Sequence, residues 1–178
     1  MRTTLIALSV AVAAMAAPLV SAAAAAWRTH SLAEAGFSVD APEGFALMGE
    51  KTTADGVRLR GYNVALGDLA LIVTSADGRQ LPPDAWQGSP DDMADAVVEG
   101  AIRNVETPRV AKFPVPGGAG RRLTYSHDGK SVRAEILLRR PWIIHVSVTA
   151  QSSQAELLNS PEADRFIASL RLSSDPTG

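Results

Sequence analysis

The sequence predicts an α+β domain in which helices cover an antiparallel β-sheet. The first observation is residues 131–151, where two runs that alternate apolar and polar side chains flank a break at Arg139, Arg140 and Pro141. This pattern is typical of a hairpin of two half-buried strands. The second is a pair of segments, residues 89–104 and 160–170, that begin with serine and proline and carry an apolar stripe at helical spacing. Because a lone hairpin is marginally stable, other segments are expected to cover its apolar face.

The first residues have the pattern of an export signal. Arg2 precedes an apolar run, and small residues follow, so cleavage is expected within residues 22–26. An uncleaved anchor is the alternative, but Pro18 interrupts the run and no basic stop-transfer residues follow it. No second apolar span follows, so a periplasmic or secreted product without a transmembrane anchor is expected. The predicted organisation is a cleaved signal peptide at residues 1–26, a single domain at 27–172 and a frayed tail at 173–178.

The composition excludes several classes of protein. The sequence has no cysteine, which excludes a disulfide scaffold and a lipid anchor on an N-terminal cysteine. Its 17 basic and 19 acidic side chains give no basic signature for nucleic acid. Residues 27–108 carry a formal charge of −7, and residues 109–178 carry +4. We interpret this asymmetry as two halves that complement each other within one sheet, and steering toward a charged partner is the alternative.

Alternating apolar residues predict five strands before the first helix. The apolar set of residues 57–66 changes face, so a bulge is expected at Gly61. The strand that follows is almost wholly apolar, as expected of a strand that is covered on both faces, so it is predicted to be central, with helices on at least one side. The five predicted strands lie at residues 27–32, 37–40, 45–48, 57–66 and 69–74.

Turn and cap signals punctuate the middle of the chain. Gly67 and Asp68 suit a type II′ hairpin turn, because glycine tolerates the positive φ of the first loop position. Residues 75–89 contain prolines and glycines without any period and form the longest predicted loop. Ser89 then caps a helix that is expected to extend to about Asn104. Its predicted stripe consists of Met93, Ala96, Val97 and Ala101.

The second half of the chain predicts a three-strand meander and a closing helix. Residues 105–115 allow an edge or irregular strand because prolines mark its limits, and residues 116–120 are predicted to be a loop. The strand 121–127 joins the 131–151 hairpin through Asp128-Gly129, a strong two-residue turn signal. The closing helix begins after Ser160, and its apolar face consists of Ala163, Phe166, Ile167 and Leu170.

The sequence contains no recognisable catalytic constellation. Ser126, His127 and Asp128 are consecutive and enter a tight turn, so they cannot point at one another as nucleophile, base and orienting group. The remaining histidines, His30 and His145, lie in other segments without short-range ligand spacing. No catalytic residue, metal ligand or cofactor is therefore predicted. A metal site assembled in three dimensions is the alternative, and His145 is its best single candidate.

Four residues are the candidates for contact with a partner. Trp86 lies in the long loop, where an aromatic side chain either tucks into the core or stays exposed for contact. The pair Arg139 and Arg140, with the pair Arg121 and Arg122 at the other limit of the meander, is a candidate basic patch for an anionic ligand or an acidic partner surface. Solvated strand ends are the alternative for these pairs. His145 lies on the less apolar face of the hairpin, where a hydrogen-bonded strand histidine is the alternative.

Four segments together carry a resemblance to a known family. They are residues 36–45 (GFSVDAPEGF), the mid-chain helix after a loop, the meander 120–142, and residues 166–172 (FIASLRL). This pattern resembles the PsbP-like fold superfamily, which includes PsbP, the Ran-binding Mog proteins and DcrB-like bacterial envelope proteins. The resemblance implies an antiparallel sheet of about six strands flanked by helices, an α/β/α sandwich, and binding or assembly roles rather than catalysis. It carries over no functional residue, because the family's metal-binding histidines do not map onto this chain.

Three functions are consistent with these observations, in descending order. The first is an exported, non-enzymatic binding or accessory protein that engages a protein partner in the bacterial cell envelope through a sheet surface or the loop 75–89. The second is a periplasmic carrier whose half-covered sheet holds a lipid or another apolar ligand. The third is a hydrolytic or metal-dependent enzyme, which requires histidine and carboxylate side chains that converge in a cleft.

Overall fold

The computed structural model describes residues 26–173, so most of the predicted signal peptide and of the predicted tail lie outside the described residues. Within this part of the chain, no helix is long and apolar enough to cross a membrane. The strands are β1 (Trp27–Leu32), β2 (Phe37–Pro42), β3 (Ala46–Thr52), β4 (Arg58–Leu66), β5 (Leu69–Asp77), β6 (Glu106–Val115), β7 (Gly118–His127), β8 (Lys130–Arg139), β9 (Trp142–Gln151) and β10 (Arg171–Leu172). The α-helices are α1 (Pro90–Ala101) and α2 (Pro161–Ser169), and 3-10 helices lie at Ala33–Ala35, Pro83–Trp86 and Ser152–Asn159.

A seven-stranded antiparallel sheet, in the order β3-β4-β5-β9-β8-β7-β6, organises the described chain. Two meanders, β3-β4-β5 and β6-β7-β8-β9, meet where β5 pairs with β9. The predicted meander 121–151 is therefore confirmed, and β6 extends it to the edge of the sheet. Pro108 and Pro114 lie in that edge strand, as expected for residues that cannot donate to a sheet ladder.

Helices cover both faces of the main sheet, which confirms the predicted sandwich. On one face, α1 packs against β7 and β8. On the other, α2 packs with β2 and β9, and a small sheet in the order β1-β2-β10 completes that layer. The largest core cluster lies on this second face and includes the fully buried Phe37, Leu71, Ile144, Val146 and Phe166.

The predicted bulge at Gly61 is wrong. β4 pairs with β5 without interruption across Gly61. The extra residue is Met48 in β3, which lies between the paired positions Leu47 and Gly49. Met48 and Leu47 are 42% and 51% exposed at this edge of the sheet.

The same face of β4 points toward the core along the strand. Arg60 and Tyr62 both lie on this buried face. Arg60 is 8% exposed. It donates through Nε to Glu50 at 2.6 Å and through Nη1 to the carbonyl of Glu34. The hydrogen bond from Arg60 lowers the pKa of the Glu50 carboxyl. The sequence pattern suggested that β4 switches faces because a charged residue, Arg60, lies on its buried side. The hydrogen bonds of Arg60 allow this burial.

The first helix begins as predicted but ends earlier. Ser89 accepts a hydrogen bond from the Asp92 amide at 3.1 Å, and the Asp92 side chain accepts one from the Ser89 amide at 3.4 Å, which forms a capping box. The helix ends at Ala101, before the predicted Asn104. Its buried residues are Ala94 and Val98, which the predicted stripe does not include.

The two-residue hairpin turns confirm the turn signals in the sequence. Gly67 has a φ of 57° and Asp68 does not have a positive φ, as in a type II′ turn. Asp128 and Gly129 have φ values of 48° and 71°, as in a type I′ turn. The loop predicted after β6 is shorter than expected, because β7 begins at Gly118.

Ion pairs join the acidic first half of the chain to the basic second half. Arg121 of β7 contacts Asp91 and Asp95 of α1 at 2.7 and 2.6 Å. Lys112 of β6 contacts Asp95 at 3.1 Å. The Arg121 side chain is 1% exposed, so its position determines where α1 lies on the sheet. The charge asymmetry therefore reflects two halves that complement each other within one fold, as the sequence favoured.

Candidate functional site

The sheet face that carries α1 is only half covered. Thr74 of β5 and His145 of β9 are cross-strand partners and line one cavity with Val97 of α1, so all three side chains lie on this face. α1 packs on β7 and β8, whereas β4 and β5 have no comparable helix contact on this face in the described chain. We call the partly buried α1-side residues of β4 and β5 the open half. They are Leu59, Gly61, Asn63, Ala65, Ala70, Ile72 and Thr74. Ala76 points to the same side but is only 3% exposed, so it is not part of this set.

The open half has the side chains of a protein interior without a covering layer. All of its residues are partly buried by their neighbours in the sheet, and none is charged. An antiparallel sheet face that is exposed to water normally carries polar residues at alternate positions. Here Asn63 and Thr74 are the polar members of the set. This surface has the composition of a contact face for another molecule.

β5 lies inside the seven-stranded sheet, as predicted, and one of its faces lies in the main core with α2. The expected cover of its second face is only partial. Leu71 and Val73 point into the main core and are fully buried, but Ala70 and Ile72 on the α1 side are only partly buried. The physical reason is the placement of α1, which the Arg121 ion pairs hold over β7 and β8.

α1 forms a wall along one side of the open half. Val97 and Ala101 line the cavity with Thr74, so this flank of the helix faces β5. Gly100 lies three residues after Val97 and is also partly buried, as expected for neighbours on one helix face. The acidic residues that bind Arg121 project from the opposite flank. Met93, four residues before Val97, is also partly buried and packs on this side of the sheet. The wall beside the open half is therefore uncharged.

His145 lies beneath the seam between α1 and the open half. Its side chain is 8% exposed and lines a cavity of about 10 Å³ with Thr74, Ile136, Ile143 and residues of α1. Burial lowers the pKa of His145 to about 4, so its ring is neutral at pH 7. Its Nδ1 atom has no hydrogen-bond partner among residues 26–173. The cavity is large enough for about one water molecule.

Trp86 and Arg140 come together at the end of the sheet where β5 leaves it. The Arg140 guanidinium lies over the Trp86 ring, with 5.7 Å from Cζ to the ring centroid. Trp86 Nε1 donates to the carbonyl of Gly78 at 3.4 Å, and Arg140 Nη2 donates to the carbonyl of Gly88 at 3.4 Å. Trp86 is partly buried and Arg140 is exposed. We call Trp86 and Arg140 the tryptophan–arginine corner.

Gly78→Ala is expected to displace Trp86 from this corner. A Cβ at residue 78 would lie 2.3 Å from Trp86 Cζ2, which is too close for any real contact, so the ring must move. The expected result is a shift of the Trp86 resonance in 19F NMR of protein labelled with 5-fluorotryptophan, and a stability loss of about 1–3 kcal/mol. Gly49→Ala is the matched control, because a Cβ there meets nothing within 4 Å. An unchanged Trp86 resonance in the Gly78→Ala protein would contradict this prediction.

The comparisons with known proteins identify the fold. No protein-family model matches the chain, and no curated protein sequence matches it. The solution structure of cyanobacterial PsbP (CyanoP) from Synechocystis is similar, with a TM-score of 0.55 and 15% sequence identity, over 88% of this chain and 98% of that chain. This chain has the PsbP-like fold.

Two further solved structures are similar at lower TM-scores. LpqN, involved in cell envelope biogenesis of Mycobacterium tuberculosis, has a TM-score of 0.44 and 11% identity, over 84% of this chain and 91% of that chain. A Pseudomonas aeruginosa protein of unknown function has a TM-score of 0.42 and 15% identity, over 74% of this chain and 88% of that chain.

Within the PsbP-like fold, the structure separates the four predicted contact residues. Trp86 and Arg140 share the corner, but Arg139 is partly buried and donates through Nη2 to the carbonyl of Ser173. Arg140 lies in the turn after β8, and its guanidinium contacts Trp86 and Gly88 rather than Ser173, so the two adjacent arginines do not form one patch. A contact between His145 and a partner remains a prediction that would require α1 to move.

The three histidines lie at different places in the PsbP-like fold. His30 packs against Phe45 with 5.1 Å between ring centroids, and burial lowers its pKa. His127 lies at the β7–β8 turn, 3.3 Å from Asp128, whereas His145 lies under α1. Residues 26–173 contain no group of three or more histidine, aspartate and glutamate side chains that could hold a metal ion.

Sequence reasoning missed the open half and two further arginine–tryptophan contacts. Arg165 lies over the Trp27 ring, with 4.6 Å from Cζ to the ring centroid. Arg79 lies over the Trp142 ring at 5.1 Å and contacts Asp77 at 2.6 Å. The spacing of Asp77 and Arg79 in the loop was a usable signal for their ion pair. No comparable signal marks Ile72 as uncovered, because its apolar neighbours have the same pattern whether or not a helix lies over them.

Proposed function

We propose that this chain is a non-enzymatic binding or accessory protein of the bacterial cell envelope that engages a protein partner through the open half. The observation that carries the proposal is an uncharged, largely apolar sheet face beside α1, over which no other helix of residues 26–173 packs to a comparable extent. Binding of a partner to such a face removes apolar surface from water, which is favourable in free energy. The export pattern of residues 1–26 supports a location outside the cytoplasm.

The geometry around His145 supports a non-enzymatic role. A general base takes its proton from a bound substrate, and the His145 ring is only 8% exposed beneath α1, so a substrate would reach it only after α1 moves. Its cavity, of about 10 Å³, is far below the roughly 300–1,000 Å³ that ligand sites usually have. The same small volume favours a protein partner on the open half over a lipid enclosed beneath α1.

Site-specific photo-crosslinking tests the proposed function. A benzoylphenylalanine at Ile72 or Thr74 is expected to give one discrete cross-linked protein product in an envelope extract of the producing organism. Val110 is the matched control, because it is also apolar and is 45% exposed, but it lies on the edge strand β6 at the far side of the sheet.

Competition makes this experiment specific. Excess unlabelled wild-type protein is expected to suppress the product, whereas excess Ile72→Glu protein is not, because a carboxylate on the open half opposes burial against an apolar surface. The proposal fails if neither Ile72 nor Thr74 yields a product, or if Val110 yields the same product in the same amount.

A further inference from the structure

The open half lies beside the uncharged flank of α1, and the two surfaces form the floor and one wall of a groove. The floor includes Ala70, Ile72 and Thr74, and the wall includes Val97. At the outer part of the floor the Met48 side chain lies against Gly61, with its Cε 3.5 Å from the position of a Cβ on that glycine, so an occupant would pack between α1 and Met48. His145 lies below the line where floor and wall meet.

The width of this groove corresponds to one helix. Adjacent strands lie about 4.8 Å apart, so two strands span about 10 Å. Packed helices have axes about 8–10 Å apart. α1 lies over β7 and β8, β9 lies at the seam, and β5 and β4 follow in order. A second helix beside α1 would therefore lie over β5 and β4.

An added strand does not fill the same groove. The free edge on this side is β3, and β4 and β5 separate β3 from the seam at β9. A strand that pairs with β3 would extend the sheet and leave its open half uncovered. The face itself therefore requires an occupant with an apolar side, such as an amphipathic helix.

The charged residues at the rim of the groove indicate which charge a bound helix would carry on its flanks. Lys51 is paired with Leu59 of the open half, so it lies at the far rim, and it is exposed. Arg140 lies at the corner. Within the described chain, neither residue has an acidic partner. Unpaired basic residues at a rim favour an acidic neighbour.

From this geometry we infer that the partner presents an amphipathic helix, with an apolar face and acidic flanks, which packs beside α1 on the open half. This inference rests on the proposed function and assigns the chemistry of the segment that is bound. The apolar face supplies most of the contact, and the acidic flanks pair with Lys51 and Arg140 and set the orientation.

Selection from a displayed peptide library tests the inference. The probes are 18-residue amphipathic helices with glutamate, lysine or glutamine at the flank positions, mixed with proline-containing extended peptides of similar composition. Selection on the full chain is expected to enrich helices with glutamate flanks. For a selected helix, Ile72→Glu is expected to weaken binding at least about tenfold, since a buried carboxylate would remain without a partner.

Charge reversal at an exposed site gives a second variant whose folding is not in doubt. Lys51→Glu is expected to shift the selection from glutamate to lysine flanks, because it reverses the charge at the rim. Val110→Glu, on the opposite edge strand, is the control and is expected to leave both affinity and flank preference unchanged. Enrichment of extended peptides, or of helices that bind the Ile72→Glu protein equally well, overturns the inference.

The outcomes also separate this inference from the proposed function. A cross-linked partner at Ile72 without any enriched helix rejects the helical occupant and retains the protein-binding role. Binding of sodium oleate to the open half, with no helix enriched, assigns the groove to an apolar ligand and overturns the inference. Failure of both the cross-linking and the selection rejects both proposals.

Discussion

Replacing Phe166 with alanine is expected to lower the free energy of unfolding by about 3–5 kcal/mol, because removal of a buried aromatic ring leaves a cavity. Phe166 is fully buried and contacts Phe45 edge to face, with 6.1 Å between ring centroids. It is the residue through which α2 closes the main core. Since domains of this size are stable by roughly 5–15 kcal/mol, this loss is a large fraction of the total.

Urea or guanidinium unfolding, followed by circular dichroism, measures the effect of Phe166→Ala. Val110→Ala is the matched control, because Val110 is 45% exposed and surface truncations usually change stability by less than about 0.5 kcal/mol. A loss below about 1 kcal/mol for Phe166→Ala would show that α2 is not a principal cover of the core.

Acidification is expected to destabilise the protein through His145. Burial lowers the pKa of His145 from 6.5 to about 4, so the unfolded chain binds this proton more readily than the folded chain does. The contribution of neutral His145 to the free energy of unfolding is fully present above pH 6.5. It is lost as the pH falls from 6.5 to 4, and protonation of this group causes no further loss below pH 4. The shift corresponds to about 3 kcal/mol.

Unfolding free energies measured from pH 7 to pH 4 test this prediction. His145→Leu is expected to lose about 3 kcal/mol less than wild type over this interval, because the variant has no group to protonate under α1. The other residues that line the cavity do not titrate, and the paired carboxylates such as Asp77 and Asp95 are common to both proteins. His127→Gln is the control and keeps the wild-type dependence. Identical profiles for wild type and His145→Leu would mean that the buried ring retains a partner for its charged form.

Elements whose structure is decided within a few residues could be predicted from the sequence. Ser89 and Ser160 accept hydrogen bonds from the first turns of their helices, because a serine side chain satisfies amides that have no partner within the helix. Asp128 and Gly129 form the expected tight turn, since both tolerate positive φ. These interactions are local, so the same chemistry is visible in the order of residues.

The candidate site could not be predicted because contacts distant in the chain create it. The position of α1 depends on Arg121, which is about thirty positions away from Asp91, and on the buried side of Ala94. The corner likewise joins Trp86 to Arg140 across the sheet. The alternation of a strand predicts the face of the sheet to which each side chain points. Whether a helix covers that face depends on tertiary packing, which the alternation does not reveal.

The extra residue in β3 also opposes edge-to-edge aggregation of the protein. A regular free edge presents a row of backbone donors and acceptors that a second molecule can extend into an aggregate, and a bulge interrupts that row. Met48 interrupts the row at one end of the sheet, and Pro108 and Pro114 interrupt it at the other. The open half is largely apolar, but both edges of the sheet are irregular and therefore oppose fibril-like association.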